Sequence, residues 1–453
     1  MRVERSNTSG SMLVTGDGDG VASHTGTRLL ADVADAVGLT EALGRRPTLR
    51  RQRRSRHDPG RVLRDVAVML ADGGDCVSDL AVLRDQPELF GDVASHATAW
   101  RTLEAVAADE LGGVDGIRAA RAAARARVWD RDGVPTVDGM LTIDVDATFV
   151  TAHSDKDRAA GTYKGGYGFY PLLAFVDHGD DGTGEPLAGV LRPGNAGSNT
   201  VLDHHDVLTL LLAQLPVDPT RTPTLVRVDS AGASHGFVNA LRDAGIMFSV
   251  GFPIDADVRD AVLALPTTAW WHARTQTGDV RAGAAVAELA GLDLSGWPPG
   301  TRAIARREPL HPGAQPSFLD ADGHRITVFI TDQPDADITA LERRHRAHAR
   351  VEDRIRTAKD TGMRNLPHRD FARNEVWLEL VLAACDLLAW TQRLTLDGDL
   401  ARAEPKTVRY RLLHVAARVT RHARQQRLRL QRTWPWTPQL LDAFTRARAL
   451  AVA

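Results

Sequence analysis

Cysteine is nearly missing from this 453-residue chain: Cys76 and Cys385, far apart in sequence, are the two present. Two distant thiols can build neither a disulfide framework nor a thiolate zinc site, and they fit a reducing, cytoplasmic setting. Long apolar runs are lacking too. The longest, 378–390, is broken by Glu379 and Asp386, and residues 1–20 are polar with no basic-then-apolar start. That argues against a membrane span and a secretory signal. Lysine is scarce, four residues within a Lys plus Arg total of 56, and the net charge is only -2. GC-rich coding accounts for arginine in place of lysine, but not for where the arginines sit.

What is present is segregated charge. Residues 45–64 hold nine arginines and one acid, residues 342–453 carry a net +11, and the rest of the chain therefore carries -21. An acidic middle between basic flanks suits a protein that holds cations centrally and a polyanion peripherally. The arginine run includes Arg50, Arg51, Arg53 and Arg54, a loop able to hold phosphates.

The pattern divides the chain. Residues 1–24 read as a disordered tail and 25–130 as helical, with Leu29, Leu30, Val33 and Val37 at helical spacing. From 135 the pattern is that of strands: 141–150, 169–176 and 186–191, then helix 201–215, strand 224–229, helix 234–244 and strand 246–251. This order predicts a mixed α/β sheet over 135–251. Residues 252–324, rich in Gly, Pro and Trp, read as a β-rich insertion. The sheet region resumes over 325–395, and 396–453 reads as a basic helical region.

Three acids stand out by placement. Asp146 lies in IDVDAT with Asp144 on the same strand face, and Asp229 ends a strand in LVRVDSAG. Glu352 lies on a helix stripe with His345, His348, Arg356 and Lys359, at spacings of three and four residues. One acid among cations on a single stripe suits a metal ligand beside phosphate-binding groups, although a solvated ion-paired helix has the same pattern. Two competing patterns are weaker. GASHG around Ser234 has the spacing of a nucleophile elbow, but Ser234 lies five residues beyond Asp229 instead of at the abrupt turn. The run Asp203-His204-His205-Asp206 is similar to phosphohydrolase ligands, but adjacent helix residues point different ways.

An Asp on a first strand, an Asp at the tip of a fourth and a Glu on a later helix resemble the layout of ribonuclease H-like DDE transposases. The motifs HDPGRVLRD, SDLAVLRDQPEL, IDVDAT, LRPGNAGSN, RVDSAG and RAHARVEDRIRTAKD, in that order, resemble the bacterial insertion-sequence family numbered 1380. The resemblance implies a ribonuclease H-like mixed five-stranded sheet with helices, a β-rich insertion and flanking all-helical N- and C-terminal regions. It implies that Asp146, Asp229 and Glu352 are catalytic and hold two Mg²⁺ or Mn²⁺ ions, and that Lys359 contacts DNA. Where the family has Tyr and Arg ahead of the Glu, this chain has His345 and His348, weaker donors to phosphate. The implied activity is cleavage and strand transfer at terminal inverted repeats; the alternative is a catalytically silent DNA-binding relic. The implied partners are DNA and, in the synaptic complex, a second protomer, with the 25–130 region binding the ends; the Arg-rich stretch 409–432 reads as helices that serve flanking DNA or the dimer, or equally as a solvated helical face.

Overall fold

The structure is a computed structural model that describes residues 17–45, 56–109, 113–162, 165–197, 200–310, 313, 320–321, 323–423 and 425–452. Arg50, Arg51, Arg53 and Arg54 lie outside the described residues.

Among the described residues the first element is a two-residue strand, β1 (Val21–Ala22), inside the stretch read as a tail. Helices follow where apolar residues recur at three- and four-residue spacing. α1 (Thr27–Ala36) buries Leu29, Leu30 and Val33, and α2 (Leu39–Arg45) continues from it. α3 (Pro59–Asp72) begins at Asp58, whose carboxylate accepts from the Arg61 amide, and stops at Gly73 with φ 110. α4 (Ala81–Arg84), α5 (Pro87–Phe90), α6 (His96–Ala107) and α7 (Gly113–Asp132) complete this half.

The second half is built on a ten-stranded mixed sheet. Its strands, with the helices that connect them, are β2 (Leu141–Ala147), β6 (Leu172–Val176), β7 (Glu185–Val190), α8 (Val201–Gln214), β8 (Thr224–Val228), α9 (His235–Asp243), β9 (Met247–Phe252), α10 (Ala256–Leu263), β10 (Trp271–Arg274), β11 (Val280–Glu288), β12 (Arg302–Pro309), β13 (Asp320–Ala321) and β14 (His324–Thr331). Three short strands, β3 (Val150–Thr151), β4 (Ala160–Gly161) and β5 (Tyr167–Phe169), form a separate small sheet. The large sheet runs β10-β11-β12-β14-β9-β8-β2-β6-β7, with β13 on β14. Pairs β2/β8 and β8/β9 are parallel; the others are antiparallel.

The sequence predicts five strands over 141–251, and β2, β6, β7, β8 and β9 match them, in the spatial order β7-β6-β2-β8-β9. The correction is that they do not end the sheet. β14 pairs with β9, Thr331 opposite Ser249, and β12 pairs with β14 along eight residues, so the insertion is a continuation of the same sheet. Its strands do not alternate cleanly in burial, with Ala303, Ile304 and Ala305 of β12 all buried, so a period of two does not mark them as part of the sheet.

Helices α11 (Ile338–Arg346), α12 (Arg350–Ala358), α13 (Phe371–Thr395) and α14 (Pro405–Val408) follow. Among the described residues no helix is long and apolar enough to cross a membrane. The expected Arg-rich helices over 409–432 are a second correction. A single helical turn, Arg409–Leu413, gives way to a hairpin, β15 (Ala417–His422) and β16 (Gln425–Leu430), before α15 (Thr437–Val452). Burial alternates in this hairpin with Arg between apolar residues, a period of two that favours a strand. β15 also pairs with β1, Val21 opposite Arg418.

The two halves share one hydrophobic core. α13 is its axis and is joined to α7 by buried charge. Arg121 donates to Asp386 at 2.7 Å, to Glu379 at 2.9 Å and to the Pro186 carbonyl at 2.8 Å; Arg125 donates to Asp386 and the same carbonyl at 2.8 and 2.7 Å. Both arginines are completely buried.

Candidate active site

The register of β2 against β8 builds the site. Asp144 lies opposite Arg227 and Val145 opposite Val228, so the next residues along the two parallel strands, Asp146 and Asp229, come side by side at the sheet's edge. Strand alternation puts Asp144 and Asp146 on one face. In the inner layer an acid meets a cation: Arg227 holds both oxygens of Asp144, at 2.8 and 2.7 Å, and Asp177 at 2.7 Å, all of it buried. In the outer layer an acid meets an acid.

Helix α12 is aimed at this edge by its own charges. His348, just before it, uses Nδ1 to bond Asp144 at 2.8 Å, and Arg350 donates to Asp177 at 2.9 Å. Glu352 follows His348 by four residues, one helical turn, and it is exposed. Burial pushes the Asp146 carboxyl up to about 6; the charges of Asp229 and Glu352 add to the rise, while His348 opposes it. Asp146 therefore senses both partner acids. Asp146 also accepts from the Ala147 amide at 2.7 Å, and exposed Asp229 accepts from the Ala231 amide at 2.9 Å. The three carboxylates do not form a cage with one oxygen of each within 4.8 Å of the others; among the described residues His24–Asp72–His414 and Asp75–Cys76–Asp79 converge that tightly.

A family model for the transposase DDE domain, group 1, matches residues 5–452. The chain belongs to that family. Among solved structures, similarity extends to a cryo-EM structure of the piggyBac transposase synaptic complex with hairpin DNA, at 10% identity, over 86% of this chain and 79% of that one, with a TM-score of 0.40. No curated protein matches.

The other residues singled out in this DDE transposase divide by their surroundings. Half-buried Lys359 lies close enough to Asp146 to feel its charge; burial lowers the Lys359 pKa, Arg364 lowers it further and Asp146 opposes them. Arg356 is exposed and pairs with Asp353 at 2.9 Å and Glu404 at 2.8 Å. His345 is engaged inside the fold. Its Nδ1 bonds Ser249 Oγ at 2.9 Å, its ring stacks on Phe329 at 4.3 Å, and burial keeps it neutral, its pKa well below the ordinary value. Burial also works against charge on His348, but the bond to Asp144 overcomes it and raises that pKa.

The competing patterns have structural duties. Ser234 caps α9, accepting from the Phe237 amide at 3.3 Å; Asp203 pairs with Arg192 at 2.9 Å, and buried His204 bonds the Thr200 carbonyl at 3.0 Å. Sequence reasoning missed the bracing set Arg227, Asp177 and Arg350. One signal was available: a charged residue inside the apolar run of LVRVD demands a buried partner.

Proposed function

We propose that this protein is a DNA transposase in which Asp146, Asp229 and Glu352 hold two divalent cations, Mg²⁺ or Mn²⁺, for strand cleavage and strand transfer at the ends of an insertion sequence. The observation that carries the reading is the pair of layers at the β2/β8 edge, acid on arginine beneath and acid beside acid above. Asp146, whose proton affinity burial and the charges of Asp229 and Glu352 raise, lies in a site short of positive charge, with the hard oxygen donors such ions take. When bound, such ions supply charge neutralisation and activation for in-line attack on a phosphodiester. The chain's own part is to hold the acids in place. Arg227 and His348 fix Asp144 and so the strand beneath Asp146, while Arg350 anchors α12 through Asp177. Lys359 and Arg356 present cationic groups to the DNA backbone, and two protomers meet in the synaptic complex. The strand order 3-2-1-4-5 of β7-β6-β2-β8-β9, with antiparallel and then parallel pairing, supports a ribonuclease H-like core.

The test compares Glu352→Gln with Ser234→Ala on DNA carrying the element's ends. The first should lose Mg²⁺-dependent cleavage by orders of magnitude while still binding the ends, and the second should cleave nearly as wild type. Retained cleavage in Glu352→Gln overturns the assignment.

A further inference from the structure

The hairpin β15–β16 turns its apolar side chains inward: Ala417 and Val419 are buried, and Leu428 and Leu430 pack partly buried on the core. The outward face is cationic. Arg418 lies directly opposite Arg429, Thr420 opposite Arg427, and His422 opposite Gln425. Arg427 and Arg429 are exposed. Among the described residues no carboxylate lies within ion-pair distance of Arg418, Arg427 or Arg429, whereas Arg421, on the other face, pairs with Glu88 at 3.4 Å. Arg418 uses Nε on the Asp19 carbonyl at 3.0 Å, a contact that leaves its charge uncompensated. Like charges directly opposite each other weaken a strand pair, so intramolecular stability does not account for this face.

We propose that the outward face of β15–β16 is a ribbon that lies in the major groove of duplex DNA. The major groove, about 12 Å wide, admits a two-stranded ribbon. Six residues per strand extend about 20 Å, or about six base pairs at 3.4 Å each. The face offers the groove arginine forks, which suit guanine edges and phosphates, and the Gln425 amide, which suits adenine. A second copy of the same face would set arginine against arginine. A lipid surface would find one exposed apolar side chain in the row, Val21 opposite Arg418. The ribbon deepens the transposase reading by naming a contact outside the carboxylate site.

The experiment uses the full chain with Arg427→Gln and Arg429→Gln combined, beside Glu352→Gln, on duplex DNA carrying the element's ends. The double variant should melt no lower than wild type, because a repulsive pair is relieved. Its affinity for the duplex should fall at least about tenfold, and its log affinity should depend on log salt with a slope shallower by about 2. Protection of guanine N7 from dimethyl sulfate over the ribbon's stretch should disappear, while Glu352→Gln keeps all of these properties. Unchanged affinity and slope, or unchanged N7 protection, overturns the ribbon. So does a loss confined to binding of anionic lipid vesicles. Cleavage retained by Glu352→Gln would refute the active site and leave the ribbon's result standing.

Discussion

Asp144 and Asp146 stand two residues apart on one face of β2, and their neighbours give them different work. Asp144 accepts two bonds from buried Arg227 and one from His348. Removing its charge leaves those cations under-compensated in the interior, so Asp144→Asn should cost about 3 kcal/mol in chemical denaturation. Asp146 is raised to about 6, a carboxylate that the fold pays to keep charged at neutral pH. Asp146→Asn should melt at or above the wild-type temperature in EDTA and lose cleavage. A stability loss at Asp146 comparable to that at Asp144 would reverse the two roles. In sequence both acids were visible as candidates on one face, but the partner that separates them comes from a strand some eighty residues later in the chain. A side chain's function depends on what faces it, and register sets that.

At the scale of elements, α12 carries Glu352 and ends in the turn Lys359–Met363. Within that turn Gly362 adopts φ 97, and a Cβ there would meet Leu70 of α3 at 2.5 Å. Gly362→Ala should therefore destabilise by about 2 kcal/mol and lower cleavage further by displacing Lys359, measured as the denaturation midpoint and as activity. The junction of α7 and α13 is a second test. Arg121→Met takes one partner from each of Glu379 and Asp386, leaving them to Arg118 and Arg125 alone in the core, and should cost about 3 kcal/mol. For the same reason, deleting residues 1–130 should yield an insoluble or unfolded remainder, not a free-standing catalytic unit. Helices and strands with a clean period were legible: α1, α3, β2, β8 and β9 fall where the pattern put them. The C-terminal hairpin was not, because arginines between apolar residues satisfy a helical and an alternating count equally well over so few residues. Nor was the shared core, since buried arginines look like surface until their carboxylates are placed.

The whole molecule is tied together at the end of α3. Asp72 accepts from His24 Nδ1 at 2.7 Å, and His414 Nε2 lies 3.2 Å from its other oxygen, so the two ends of the chain meet on one carboxylate. Burial alone would raise the Asp72 pKa, but the bonds from His24, His414 and Thr27 bring it down to about 2. Burial also opposes charge on His414, and Asp72 outweighs it, raising that pKa above 6.5. A raised histidine contributes stability that is complete below its unfolded value and fades as pH rises through its folded value. The melting-temperature gap between wild type and His414→Gln should therefore be wider at about pH 6 than at about pH 9, and an equal gap would remove His414 from the tie. The pairing of β1 with β15 has a consequence in time. Val21 emerges early in synthesis, yet its partner Arg418 is added nearly at the end. At about 5 to 20 residues per second, the first strand waits roughly 20 to 80 seconds for its neighbour. A chain still on the ribosome, or one released early, lacks the three-stranded sheet that backs the arginine ribbon, and only a finished polypeptide can close its grip on a duplex.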